Sequence, residues 1–160
     1  MPPERPPFCL RLQVALRGLW IAYRDEPNLR FQVFAGTVAA VVGWAVGLSG
    51  WEVAYLALTI GLVLFAELVN TALERTVDLA GQNRSSTLAG DAKDIAAGAV
   101  LLTSLHALLA GVWLFAVQRP LLVTLHQLVD LLVARPWAAA LLLLAAFGWL
   151  WLGRSRALSN

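Results

Sequence analysis

The sequence is poor in charge and nearly devoid of cysteine. Only 14% of its 160 residues are Asp, Glu, Lys or Arg, against about a quarter in soluble globular domains. That shortage excludes a disordered or coiled-coil chain, both of which are rich in charge. Cys9 is the single cysteine, so an internal disulfide scaffold is excluded. No basic block interleaved with aromatics is present, which removes nucleic acid from the candidate partners. The opening MPPERPPFCLRLQ lacks the apolar run of a cleaved signal peptide, or of a lipoprotein signal ahead of Cys9. No fixed-period repeat is visible. The GxxxxGK[ST] phosphate loop, the GxGxxG turn and the protein-kinase motif set are missing too. His106 and His126 stand without the further ligands zinc needs, and read as a helix-packing and an interfacial residue.

What fills the sequence is apolar. Hydrophobic residues make up 59% of it, with a mean hydropathy of +0.71. A domain of this size could not hide so many apolar side chains from water, so the sequence predicts an integral membrane protein. Its spans should be helices, since an open strand would leave backbone groups unpaired in lipid. Four stretches approach the roughly 17–25 residues that a span requires: Phe31–Leu48, Val53–Val77, Ile95–Val117 and the shorter Trp137–Leu152. Ser49-Gly50-Trp51-Glu52 reads as a tight turn between the first two.

The basic residues fall almost wholly on one side of these spans. Arg5, Arg11, Arg17, Arg24, Arg30, Arg75, Arg84, Lys93, Arg154 and Arg156 share it, and only Arg119 and Arg135 face the other. By the positive-inside rule both termini are cytoplasmic. Residues 10–24 place Leu12, Ala15, Leu16, Leu19 and Tyr23 on one stripe, which predicts an amphipathic surface helix ended or bent by Pro27. Residues 121–134, between Pro120 and Pro136, are too short to span and should lie near the outer interface. Ala39, Gly43 and Gly47, and the small residues Ala96–Ala99, form ridges that permit close helix approach.

The informative feature is acid where lipid should be. In Glu67-Leu-Val-Asn70-Thr-Ala-Leu-Glu74-Arg-Thr-Val-Asp78, offsets of three and four put Glu67, Asn70, Glu74 and Asp78 on one helical face. Glu67 lies about 21 Å along the helix from Val53, still inside a core of about 30 Å. A carboxylate there costs up to about 2.5–3.5 kcal/mol on insertion and marks a functional site by default; the plain alternative is a bond to a neighbouring helix. Lys93 and Asp94, after a hydrophilic loop over Ala80–Gly90, stand beside the acidic end of the second span. Asp25, Glu26, Asn28, Arg30 and Gln32 bring further polar groups to the start of the first. One or two carboxylates plus substrate phosphates suit magnesium, and a membrane-embedded base beside such a site suits phosphate transfer to a buried alcohol.

ELVNTALERTVDL (Glu67–Leu79), the loop, AKDIAAGAVLL (Ala92–Leu102) and the upstream stretch Ala15–Gln32 together resemble the small prokaryotic diacylglycerol kinase family. The resemblance covers residues 10–117 and implies an all-α membrane fold: an N-terminal amphipathic surface helix and a three-span lipid kinase unit. Residues 118–160 then form a C-terminal extension with an interfacial segment and a fourth span, expected to act as an anchor whose loss harms stability more than chemistry. The resemblance also implies a homotrimer with shared active sites in the bacterial cytoplasmic membrane. It makes Glu67 the general base, supported by Asn70, and Glu26 with Glu74 the magnesium pair. Lys93 and Asp94 become the ATP-contacting pair, Arg30 together with Glu67 falls near the lipid, and Arg84 reaches a phosphate by position alone. Gln32, often His or Glu in relatives, receives no role.

The implied activity is transfer of the ATP γ-phosphate to the hydroxyl of undecaprenol or diacylglycerol, feeding lipid-carrier or phospholipid metabolism. The wording of the motifs leans toward the undecaprenol kinase branch. Two other readings compete with it. A proton- or ion-coupled transport component would need polar groups through the whole membrane depth, whereas these cluster at one side. A non-enzymatic assembly protein held by the small-residue ridges would need no ATP.

Overall fold

A computed structural model describes residues 7–81 and 87–157, the side chains of 150–157 excepted. All its regular elements are helical: α1 (Phe8–Asp25), α2 (Pro27–Ala45), α3 (Trp51–Gly81), α4 (Thr87–Val112), α5 (Leu121–Ala134) and α6 (Pro136–Ala157). A short π-helical stretch, Trp113–Val117, widens the last turns of α4, where the Gln118 N–H reaches back to the Trp113 carbonyl at 3.0 Å. The chain is an all-α membrane protein.

Three prolines make the corners. A residue before proline is driven out of the helical region by the ring, and proline itself suits the first position of a helix. Glu26 accordingly sits at φ −104°, ψ 113°, a one-residue break between α1 and α2. Arg135 does the same at φ −135°, ψ 81° before Pro136, and α5 meets α6 at a bend of 101°. Pro120 caps the start of α5. The α2–α3 turn uses glycine instead: Gly47 and Gly50 stand at φ +68° and +54°, where a Cβ would strain the backbone.

Among the described residues, Trp51–Gly81 and Thr87–Val117 are long and apolar enough to cross a membrane on their own. Leu121–Ala134 and Pro136–Trp149, joined by a bend, are together long and apolar enough to count as one broken span. The predicted first span is a helix, shifted to Pro27–Ala45, but it is not apolar enough over its length to cross a membrane on its own. Asn28, Arg30, Gln32 and Thr37 dilute its apolar character. The predicted third span, α4, begins at Thr87, two turns before the expected Ile95, so Asp91, Lys93 and Asp94 are helical. The loop expected over Ala80–Gly90 shrinks accordingly: α3 persists to Gly81 because its polar end continues the same 3.6-residue face. The 31 residues of α3 extend about 46 Å, which carries its last turns beyond a core of about 30 Å.

α2, α3 and α4 pack in sequence, and α6 lies antiparallel along the opposite side of α2. Trp137 at the start of α6 stacks on Trp44 at the end of α2, with centroids 4.6 Å apart. Trp149 lies 5.7–5.8 Å from Phe34 and Phe31 near the start of α2. Gly148 lets Tyr23 of α1 close on α6, since a Cβ there would meet the Tyr23 hydroxyl at 2.6 Å. Gly36 gives α2 the same approach to Ile60 of α3. α5 crosses the end of the bundle opposite α1, touching α2, α6 and the π-helical stretch. At that end Arg119 donates two hydrogen bonds to Glu52, at 3.0 and 3.1 Å, and ties the post-α4 turn to the start of α3.

Candidate functional site

The buried face of α3 carries Thr59, Val63, Glu67, Asn70 and Thr71. Steps of three and four residues keep these on one side of the helix, and that side faces α2. Apolar at Val63, the face turns polar at Glu67 as it approaches α1. Glu67 is 2% exposed and Asn70 9%. An acid so placed needs partners, because a buried charge without them is prohibitively costly.

α2 supplies the partners. Gln32 Nε2 donates to Glu67 Oε2 at 3.3 Å, and the Asn28 side chain lies close enough to this carboxylate to interact with it. Asn28 and Gln32 are four residues apart and share a face of α2. Gln32, which the sequence left without a role, is therefore a direct contact of the central acid. The i, i+4 amide pair opposite an intramembrane Glu was the signal available for it.

Glu74 lies on the next turns of α3. Asn70 Nδ2 donates to Glu74 Oε1 at 2.9 Å, while Asn70 Oδ1 is buried with no hydrogen-bond partner. Glu26, held at the α1–α2 corner by the Pro27 geometry, completes the cluster. Both Glu26 and Glu74 lie near enough to Glu67 to interact with it electrostatically. Arg75 Nη2 bridges α3 to that corner, at 3.3 Å from Glu26 Oε1 and 3.2 Å from Asp25 Oδ2. The sequence reading missed this clamp, because the register of α1 against α3 is invisible in a one-dimensional pattern.

The remaining expected residues lie at different depths. Arg30 is 3% exposed and its Nη1 donates to the Arg24 and Tyr23 carbonyls at 2.7 and 3.4 Å. It satisfies the C-terminal end of α1, as a basic side chain suits, and its Nε is buried without a partner. Lys93 pairs with Asp78, one turn past Glu74. Asp94 is exposed on the first turns of α4. Arg84 lies outside the described residues.

A divalent cation fits this donor set. Glu26 and Glu74 both lie near Glu67, and Glu26 is also paired with Arg75. Asn70 Oδ1 adds a hard oxygen left unsatisfied. Among the described residues no three His, Cys, Asp or Glu side chains converge as a ready-made cage. Magnesium does not require one, since it binds through one or two carboxylates and keeps waters or substrate phosphates.

Comparison with known proteins gives a consistent picture. The family model described as prokaryotic diacylglycerol kinase matches residues 13–115, from within α1 to the π-helical stretch. A protein of Synechocystis named diacylglycerol kinase is 39% identical over 106 residues, which cover 66% of this chain and 61% of that protein. A Bacillus subtilis protein named undecaprenol kinase is 38% identical over 99 residues, 62% of this chain and 80% of its own length. The chain thus spans about three fifths of the Synechocystis relative. No solved structure matches it.

Proposed function

This chain belongs to the prokaryotic diacylglycerol kinase family, and from that premise we propose that it is a lipid kinase moving the ATP γ-phosphate onto the hydroxyl of a membrane lipid alcohol. The observation that carries the reading is Glu67: an acid 2% exposed on a membrane-crossing helix, hydrogen-bonded by the Gln32 amide of α2 and flanked by two more acids. The lipid hydroxyl arrives from the bilayer at Glu67. Its oxygen attacks the γ-phosphorus, the bond from that phosphorus to the β–γ bridging oxygen breaks, ADP leaves, and a Glu67 carboxylate oxygen accepts the hydroxyl proton. Gln32 and Asn28 fix the carboxylate for that transfer. Glu26, Glu74 and Asn70 Oδ1 would hold magnesium, which when bound offsets charge on the phosphates, the dominant demand of phosphoryl transfer.

Lys93 and Asp94 would meet the nucleotide at the aqueous end, with Arg84 as a further phosphate contact. Arg30 sets the angle between α1 and α2 and so the lateral approach of the lipid. The kinase unit is residues 10–117, followed by the extension 118–160. We place the protein in the bacterial cytoplasmic membrane with both termini inside, as a homotrimer whose sites are shared between neighbours. The acceptor is undecaprenol or diacylglycerol, as in the names of the two relatives.

The test is transfer of labelled phosphate from γ-labelled ATP to lipid extracted from vesicles containing the purified protein. Labelled lipid phosphate is the expected result. Its absence, with either lipid alcohol supplied in excess, would favour the transport or assembly readings. The two lipids in competition rank the acceptors, and cross-linking in the same vesicles reads the subunit number.

A further inference from the structure

Two cavities line the seam between α2 and α4 and run into each other. One of about 330 Å³ is bordered by Gln32, Gly36, Thr59 and Ser104. The other, about 540 Å³, continues along Val38, Val42 and Gly111 to Leu121, Leu125 and Leu128 of α5. Phe31, Ala35, Ala39, Ala107 and Leu108 border both, so the two form a single groove. It starts at Gln32, the direct partner of Glu67, and ends under α5, which lies beyond the family match at residue 115.

The groove changes character along its length. In the half near Glu67, the Thr59 hydroxyl and Gln32 Oε1 are buried with no hydrogen-bond partner, Thr59 being 3% exposed. Gln32 Oε1, beside Glu67, is an open valence for a ligand's polar end, and Thr59 lies about 12 Å further along α3. In the half under α5 the lining is hydrocarbon, and the one hydroxyl there, Thr124 Oγ1, is already committed to the Phe115 carbonyl at 3.2 Å. From Phe31 to Val42 the seam rises about 16 Å, close to half of a hydrocarbon core of about 30 Å. An occupant with a polar end at Glu67 and one leaflet's length of hydrocarbon fits this gradient.

We propose that the groove holds the hydrocarbon chain of the acceptor lipid and that α5, supplied by the C-terminal extension, closes its far end, so that Leu121, Leu125 and Leu128 set the chain length accepted. This rests on the lipid kinase reading and gives the extension a part in substrate selection. The bilayer is as apolar as leucine, so a chain that overruns the groove is not driven back into it by water. Selection comes from shape, through seating or clashing against α5. The effect belongs on the KM for lipid, with the Glu67 chemistry left intact.

The experiment uses the full chain in vesicles with dioctanoyl- and dipalmitoyl-glycerol, and short and long prenols, as acceptors. Leu125→Trp shortens the groove; the paired change Leu125→Ala and Leu128→Ala lengthens it without adding bulk and serves if the Trp variant does not fold. The expected result is a change of roughly three- to tenfold in the long-to-short ratio of kcat/KM, smaller than a methylene's ceiling in a water-facing pocket. The direction should be opposite in the two variants, with short-chain kcat retained. An unchanged ratio in folded variants overturns the proposal. So does a change of subunit number in place of the ratio, which would make the groove a seat for a second copy of the chain. Failure of the unaltered protein to phosphorylate any of the four acceptors rejects the kinase reading itself.

Discussion

Replacing Gln32 by Leu removes a hydrogen bond to Glu67 while keeping similar bulk. The contact is 3.3 Å long, at the weak end of useful geometry. Hydrogen bonds to charged groups contribute about 1.5–3 kcal/mol, so the lower figure applies. A loss of about 1.4 kcal/mol is roughly tenfold in rate, which is the fall in kcat expected for Gln32→Leu. KM for ATP should stay near its original value, because Gln32 faces the acceptor side and Lys93 pairs with Asp78 well below it. Asn28 lies beside the same carboxylate, so Asn28→Ala combined with Gln32→Leu should cost more than the sum of the two single changes. The assay is phosphate transfer in vesicles with kcat and KM separated, on protein whose helical content and subunit number match the original. Unaltered kcat in both single variants and the double variant would show that the α2 amides do not position Glu67.

Three further outcomes follow from other contacts. Gly36→Ala places a Cβ 2.9 Å from Ile60 Cγ2, and such overpacking costs about 1–3 kcal/mol; thermal unfolding in detergent should show the loss, and adding Ile60→Ala should restore part of it. Deleting Trp137–Asn160 uncovers Phe31, Phe34 and Trp44 on α2, so the thermal midpoint should fall while kcat on short-chain acceptors persists; complete loss of turnover in a folded, correctly assembled truncation would contradict this. Glu74→Gln leaves the Asn70 amide a partner but removes a charge from the cluster, so the magnesium concentration for half-maximal turnover should rise, and chelation should abolish turnover reversibly in the unaltered protein.

The sequence made some features plain and hid others for physical reasons. The face of Glu67, Asn70 and Glu74 was legible because a continuous helix fixes which residues align, with no knowledge of what it packs against. The break at Glu26 was legible in outline from Pro27. Contacts between helices were not: the Gln32–Glu67 bond and the Arg75 clamp depend on the register of one helix against another, which no single-helix period encodes. The α4 start was misplaced because Thr87–Asp94 mixes polar and small residues that suit a loop or a helix equally. α6 was expected as an anchor, and aromatic pairs at its start (Trp137) and about two turns before its end (Trp149) lay it along α2. α5 was expected near the outer interface, yet its contact with the groove needed the three-dimensional bend at Arg135–Pro136.

The central claim, that the buried acid of α3 takes the proton of a lipid hydroxyl, is tested most directly by Glu67→Gln. The change keeps size and hydrogen bonding and deletes basicity. A general base contributes about 10²–10⁴-fold, so single-turnover phosphate transfer in vesicles should fall by that factor while ATP still binds. Transfer at the unaltered rate in a folded Glu67→Gln protein would contradict the account.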